Sequence, residues 1–204
     1  MDETEITKKT YNQIAARYAA ISSNKIRGKK HIDFFLSRLK KGATILDLGC
    51  GAGLHIEYFL KKGFKCCGAD ISNEMLKIAR RRLPMVKFSL IDIEKIKSSK
   101  KYDAITAFYS LTHIKKGKLV NVLRMIRKML KPGGAIFIEI GRGRFDAVAN
   151  NFLGTGNPVY GTAYYGYELK DKIRAAGFNI FYLRIDRTKF GRYSEQTIYV
   201  LAKN

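Results

Sequence analysis

The sequence predicts an α/β fold: a mostly parallel sheet covered by helices on both faces, within one domain. Three observations carry that expectation. Short apolar runs of strand length alternate with segments whose apolar residues recur at helical spacing. Glycine or proline closes most of the helical segments. The chain, 204 residues long, is of a size to build one sizeable core. Alternation of this kind implies right-handed crossovers between parallel strands.

Two helical segments come first. Residues 10–22 place Tyr11, Ile14, Ala15, Tyr18 and Ala19 at helical spacing. Residues 29–40 repeat the pattern with Ile32, Phe35, Leu36 and Leu39 before Gly42 stops it. Strand and helix then alternate: a strand over 43–48, a helix over 53–62 closed by Gly63, and a strand over 64–70. A helix over 72–83 has Ser72 as its N-cap and Pro84 beyond its end. Strands at 86–92 and 102–109 precede an amphipathic helix over 118–134 that ends in Pro-Gly-Gly, and 135–140 is the fifth strand. After a long loop over 141–167 comes a helix over 167–178. Two strands, 178–186 and 195–203, joined by a polar turn, bring an antiparallel strand to the sheet.

Composition narrows the classes. There are 39 Lys and Arg against 17 Asp and Glu, a formal net charge of +22. Such a field attracts nucleic acid, an anionic metabolite or an anionic surface. The bases are spread over nearly every segment, though, as lysines on solvent faces commonly are. No apolar run is long enough for a membrane span. The first residues, MDETEITKKT, lack the apolar core of a signal peptide, so a cytoplasmic location is expected. Cys50, Cys66 and Cys67 have neither zinc spacing nor the even count of a disulfide framework, and read as small thiols in a reducing compartment. No metal site is expected.

The first strand opens into Gly49-Cys50-Gly51-Ala52-Gly53. Glycine turns with positive φ and lets a ligand touch bare backbone, so a nucleotide-like ligand is implied. Asp70 ends the second strand, 21 positions after Gly49. A carboxylate there accepts from both hydroxyls of a ribose. Dinucleotide sites use the same geometry, but their G-x-G-x-x-G pattern needs a last glycine where this chain has Leu54.

With these residues in place the chain resembles the class I S-adenosylmethionine-dependent methyltransferases. LDLGCGAG is similar to their first motif and GADISNEMLKIAR to the ribose-acid segment. SLIDIEKI is similar to the adenine-side segment, and YDAITAFYSLTHI and MLKPGGAIFIEI to those around the fourth and fifth strands. The resemblance runs from about Tyr11 to the C-terminus. It implies a Rossmann-like, seven-stranded sheet with one antiparallel strand near its edge. It also implies a helical cap over 1–41, a cofactor-binding core over 42–141 and a substrate side over 142–204.

The implied cofactor, S-adenosylmethionine, would meet Gly49, Cys50, Gly51 and Gly53 at its methionine part, with Asp47 shaping the loop. Asp70 would hold the ribose, Ile71 and Met75 would flank the adenine, and Asp92 would accept from its amino group beside Ile93. Phe108 and Tyr109 would line the methyl side. Tyr11 and Tyr18 would close over the cofactor as a lid, and Arg17 would meet its carboxylate. For several of these a packing role competes: Asp47 as buttress, Met75 as core, and the two tyrosines as one face of a packed helix.

Methyl transfer asks a protein for alignment, exclusion of water and, for a protonated nucleophile, removal of a proton. His113, just after the fourth strand, is the candidate base, with pocket wall as the competing role. His31 and His55 read as structural. The 141–167 loop is the expected substrate side, where Arg142 and Arg144 would grip an anion or stand as solvated turn residues, and Tyr164 and Tyr165 would form an aromatic wall or lie as core tyrosines beneath the loop. Asn157-Pro158-Val159-Tyr160 looks like the amino-methylating Asn-Pro-Pro-Tyr motif, but it lies after the wrong strand and lacks the second proline.

The leading expectation is a small-molecule methyltransferase, and the alternative is one acting on RNA or another macromolecule docked by the basic surface. A cofactor-binding regulator without catalysis stands behind both, and a nicotinamide-dependent reductase is the weakest reading.

Overall fold

In a computed structural model the described residues are 2–22, 26–190 and 193–204. Seven strands form the main sheet: β1 (Thr44–Leu48), β2 (Lys65–Asp70), β3 (Lys87–Leu90), β4 (Tyr102–Phe108), β5 (Leu130–Gly141), β8 (Asn179–Phe190) and β9 (Tyr193–Lys203). Their spatial order is β3-β2-β1-β4-β5-β9-β8. β9 runs antiparallel to both β5 and β8, and the remaining pairings are parallel. The expected seven-stranded sheet with one antiparallel strand is therefore present.

The helices are α1 (Glu3–Ser22), α2 (Lys29–Leu36), α3 (Leu54–Lys61), α4 (Asn73–Arg82), α5 (Leu119–Lys128) and α6 (Gly166–Ala175). One face of the sheet buries Leu119, Val122, Leu123 and Ile126 of α5 with Leu169 and Ile173 of α6. The other packs Ile32, Phe35 and Leu36 of α2 and Phe59 of α3 onto Phe137, Tyr199 and Leu201. α4 joins α3 through Leu76 and Ile56. Burying these large apolar side chains is the main drive that holds the layers together. Among the described residues no helix is long and apolar enough to cross a membrane.

Five details differ from the sequence expectation. α1 starts at Glu3, seven residues before the periodic face begins, because Asp2 Oδ1 accepts the Glu5 N–H at 2.8 Å and caps it. α2 stops at Leu36 rather than running to residue 40. α5 ends at Lys128, and Leu130 already pairs with Tyr102 of β4, since Pro132 cannot continue a helix. The long loop after β5 contains a hairpin, β6 (Phe145–Ala149) with β7 (Val159–Ala163). β6 is exposed over nearly its whole length, so it carries no alternating apolar signal. β8 and β9 are longer than the periodicity indicated, and the polar turn between them falls on residues outside those described.

Crossovers deliver the ends of β1, β2 and β4 to one edge of the sheet, where a ligand site is expected. α1 lies across that edge. Asn12 Oδ1 accepts from the Ser72 hydroxyl at 2.8 Å and from the Glu74 N–H at 3.2 Å, fastening α1 to the start of α4.

Candidate functional site

The loop after β1 is shaped by left-handed glycines. Gly49 has φ 71° and donates its N–H to Ala69 O at 2.7 Å. A Cβ there would stand 2.2 Å from the Ser110 Cβ, so only glycine fits between β1 and the turn after β4. Gly51 has φ 51° and the position of its missing Cβ is open space, on the wall of a cavity. Gly53 (φ 81°) starts α3 and packs toward Leu83.

Asp70 closes the loop from the other side. Its Oδ2 accepts from the Gly51 N–H and its Oδ1 from the Ser72 N–H, both at 2.8 Å. One carboxylate thus fixes the glycine loop and the entry to α4. Burial pushes its pKa up, against the pull of those backbone donors. Ser72 caps α4 as the sequence predicted, accepting from the Met75 N–H at 3.2 Å.

The cavity is lined by Gly49, Gly51, Asp70, Ile71, Met75, Asp92, Ile93, Phe108, Tyr109 and His113, with Tyr11 and Tyr18 from α1. It therefore gathers most of the residues read from the sequence for the donor site. Asp92 Oδ1 is taken up by the Glu94 N–H at 2.9 Å. Four lining residues were not anticipated: Thr4, Thr7, Ser110 and Ile114. The two threonines lie on the part of α1 that precedes the periodic face, where no pattern marks them. Ser110 and Ile114 flank His113 in a 3-10 turn.

The remaining sequence candidates lie elsewhere. Asp47 is 1% exposed beneath the loop, where Oδ1 accepts from the Thr106 hydroxyl at 2.7 Å and Oδ2 has no hydrogen-bond partner. Burial, reinforced by the charge of Asp70, raises its pKa to about 7. Cys50 is buried against Ile56 and Leu76. Arg17 is exposed and donates to Leu153 O at 3.4 Å, holding the hairpin rather than facing the cavity. Tyr164 is fully buried in the core with Lys116 over its ring, and so forms no aromatic wall. Arg142 and Arg144 are exposed, and Tyr165 stacks on Tyr167 with ring centroids 5.8 Å apart. None of these four lines the cavity.

His113 bridges roof and wall. Its Nδ1 lies 2.6 Å from the Tyr160 carbonyl, which accepts only, so that nitrogen carries the proton. Nε2 is then an acceptor for the Tyr11 phenol, 3.0 Å away. Burial lowers its pKa, keeping the ring neutral. His55, read as structural, stacks on Phe108 at 3.7 Å, just behind the lining. His31, also read as structural, is 3% exposed between Tyr182 and Asp186.

A polar cluster adjoins the Phe108 and Tyr109 side. Glu139 of β5 pairs with Phe108 of β4 and with Tyr199 of β9. It is 1% exposed and its Oε1 has no hydrogen-bond partner. Arg27 Nε stands 4.0 Å from that oxygen, and Arg27 Nη1 is 3.6 Å from Glu195. The guanidinium covers the Tyr109 ring at 4.3 Å, and the Tyr109 phenol pairs with the Thr197 hydroxyl. Tyr109 itself holds φ 55°, unusual for a residue with a side chain. Burial raises the Glu139 pKa to about 7.

Comparison with known proteins sets the chain among methyltransferases. The chain is 29% identical over 109 residues to the dTDP-3-amino-3,4,6-trideoxy-alpha-D-glucopyranose N,N-dimethyltransferase of Streptomyces venezuelae, covering 52% of this chain and 46% of the relative. It is 31% identical over 104 residues to the ubiquinone biosynthesis O-methyltransferase of Idiomarina loihiensis, covering 48% and 42%. The chain thus spans less than half the length of these relatives. The crystal structure of Burkholderia thailandensis 1,6-didemethyltoxoflavin-N1-methyltransferase superimposes with TM-score 0.77 at 17% identity, over 100% of this chain and 91% of that one. A family described as a methyltransferase domain matches residues 16–204. With nearly the whole chain inside that match, the protein belongs to the methyltransferase domain family.

Proposed function

We propose that the chain uses S-adenosylmethionine to methylate a small-molecule acceptor. The observation that carries this is the cradle: left-handed Gly49 and Gly51, pinned by Asp70, on the wall of the cavity. Two further features fit the donor. The described lining holds Asp70 and Asp92 but no lysine or arginine, although the chain carries +22 overall, and an acidic hole suits a cationic sulfonium. Asp47, beneath the cradle, keeps an unpartnered carboxylate oxygen.

Bound S-adenosylmethionine supplies a methyl group on a sulfonium leaving group. The chain's own residues then bind and exclude water. Gly51 offers bare backbone, and Asp70 has lone pairs left for the ribose diol after taking its two backbone donors. Ile71, Met75 and Ile93 supply apolar walls for the adenine, and Asp92 an acceptor at its edge. Tyr11 and Tyr18 roof the methyl side. His113 serves as wall and latch: its Nε2 lone pair is already taken by Tyr11, so it acts as a base only when that bond opens. Relatives that act on a sugar amine and in ubiquinone biosynthesis favour a nitrogen or oxygen acceptor.

Calorimetric titration tests the donor. Saturable, stoichiometric binding of S-adenosylhomocysteine with no binding of NADH is expected; tight NADH binding without it would overturn the reading. A second reading, RNA as acceptor, is favoured by the Tyr165–Tyr167 stack, exposed at Tyr167, with Arg142 5.9 Å from the Tyr165 ring, on a chain of +22. Robust, salt-sensitive transfer of labelled methyl to total RNA would establish it over the small molecule.

A further inference from the structure

We infer that Glu139 recognises the methyl acceptor, accepting a hydrogen bond from an N–H or O–H on or beside the atom that is methylated. The acceptor class is then an amine, phenol or alcohol, and not a carboxylate. The inference rests on the donor reading above and adds the acceptor to it.

Three observations converge on this residue. Glu139 adjoins the cavity without lining it: β4–β5 register sets it directly beside Phe108, which does line the methyl side. Its backbone carbonyl accepts the Tyr109 N–H at 2.8 Å, which ties β5 to the strained turn that presents the Tyr109 ring to the cavity. Lastly, the carboxylate is 1% exposed while Oε1 makes no hydrogen bond. A buried acceptor left unpaired costs about 1–3 kcal/mol, and more when charged. Arg27 at 4.0 Å offsets the charge but is beyond hydrogen-bond distance, so the acceptor capacity of Oε1 is unspent.

A chain keeps such a group at a cost when a ligand completes it. What completes a carboxylate oxygen is a donor, and an acceptor molecule with its own carboxylate would meet Glu139, Asp70 and Asp92 in one region whose described lining holds no lysine or arginine, the adjacent Arg27 being shared by Glu139 and Glu195. Arg27 and Glu195 then set the charge around Glu139 without reaching its free oxygen. A purely structural Glu139 would instead serve only to anchor Arg27, and removing its charge would disturb stability and donor binding as much as acceptor use.

The test begins with S-adenosylhomocysteine titrated into wild type, Glu139→Gln and Glu139→Asp. Each preparation is then offered S-adenosylmethionine with a panel of primary amines, phenols, alcohols, carboxylic acids and thiols, and release of S-adenosylhomocysteine is followed. The expected result is wild-type turnover on amines, phenols or alcohols. Glu139→Gln should then lower kcat/KM at least tenfold, about 1.4 kcal/mol, with the S-adenosylhomocysteine Kd within twofold. If Gln compromises folding, Glu139→Asp draws the carboxylate back by one methylene and should show the same selective loss. Turnover confined to carboxylic acids or thiols overturns the inference. So does no turnover across the panel by a protein that binds S-adenosylhomocysteine, or an unchanged kcat/KM in both variants. Failure of wild type to bind S-adenosylhomocysteine sinks the donor reading first, and is seen separately.

Discussion

Replacing Asp70 by asparagine is the sharpest probe of the donor site. In the native protein each carboxylate oxygen holds one backbone N–H at 2.8 Å, Gly51 on one side and Ser72 on the other. Asparagine keeps one acceptor and turns an NH2 toward the other donor, so one charge-assisted bond, worth about 1.5–3 kcal/mol, is lost. Relief of the buried charge returns part of that, leaving a net destabilisation of about 1–2 kcal/mol, or roughly 2–8 °C in Tm for a chain of this size. Donor affinity should suffer more. The diol loses a charged acceptor for a neutral one, and the Gly51 backbone is no longer pinned. A further loss of about 1.5–3 kcal/mol predicts S-adenosylhomocysteine binding about 10- to 100-fold weaker. Isothermal titration with parallel thermal unfolding separates the two effects. A Kd within twofold of wild type in a folded Asp70→Asn protein would refute the assignment of the cradle.

Two glycine substitutions should part company. Gly49→Ala drives a Cβ to 2.2 Å from Ser110 and should cost stability and donor binding together, whereas Gly51→Ala meets no neighbouring atom. The latter should lose only about 1–2 kcal/mol to its left-handed φ while its methyl, on the cavity wall, abolishes S-adenosylhomocysteine binding. Protonation gives a further test. Burial drives the His55 pKa down to about 3, so its contribution is whole above the unfolded value near 6.5 and is lost as pH falls below that. Asp47 and Glu139, raised to about 7, act oppositely: their contribution is present at low pH and declines as pH rises from about 4 toward 7. His55→Phe should therefore spare about 1–2 kcal/mol of the stability lost between pH 7 and pH 5, a figure trimmed because the ring keeps some solvent contact. Denaturant midpoints at the two pH values that fall in parallel for variant and wild type would count against it.

The sheet and the donor half of the site were legible because they are local and periodic. Gly49, Gly51, Asp70 and Asp92 follow directly on strands, so the strand pattern alone delivers them to one edge. The acceptor half obeys no such rule. Tyr164 and Tyr165 are adjacent in sequence, yet Tyr164 is wholly buried and Tyr165 stacks on Tyr167, because the exit from β7 sends them to different surroundings. Glu139 is one polar position in the otherwise apolar run 135–140, with no motif to mark it. Its significance arises from Phe108, Arg27 and Tyr199, residues far apart in the chain that only β-pairing and the α2 connection bring together. Thr4 and Thr7 had no apolar stripe to announce them, and reach the cavity because α1 begins earlier than its periodic face.

The β6–β7 hairpin is an appendage and not a rung of the main sheet. It meets the chemistry at a handful of points: the Tyr160 carbonyl on His113, the Pro158 carbonyl on Thr10, and the Leu153 carbonyl on Arg17. These three are backbone oxygens, but side chains fasten the hairpin too: the Phe152 ring meets those of Tyr11 and Tyr18, and the Thr162 hydroxyl donates to the Thr112 carbonyl at 2.9 Å. The exposed β6 side chains are therefore the ones free to drift, or to be exchanged by design, with the roof staying fastened, while Phe152, Thr162 and the buried Val159 and Tyr160 of the hairpin have to stay.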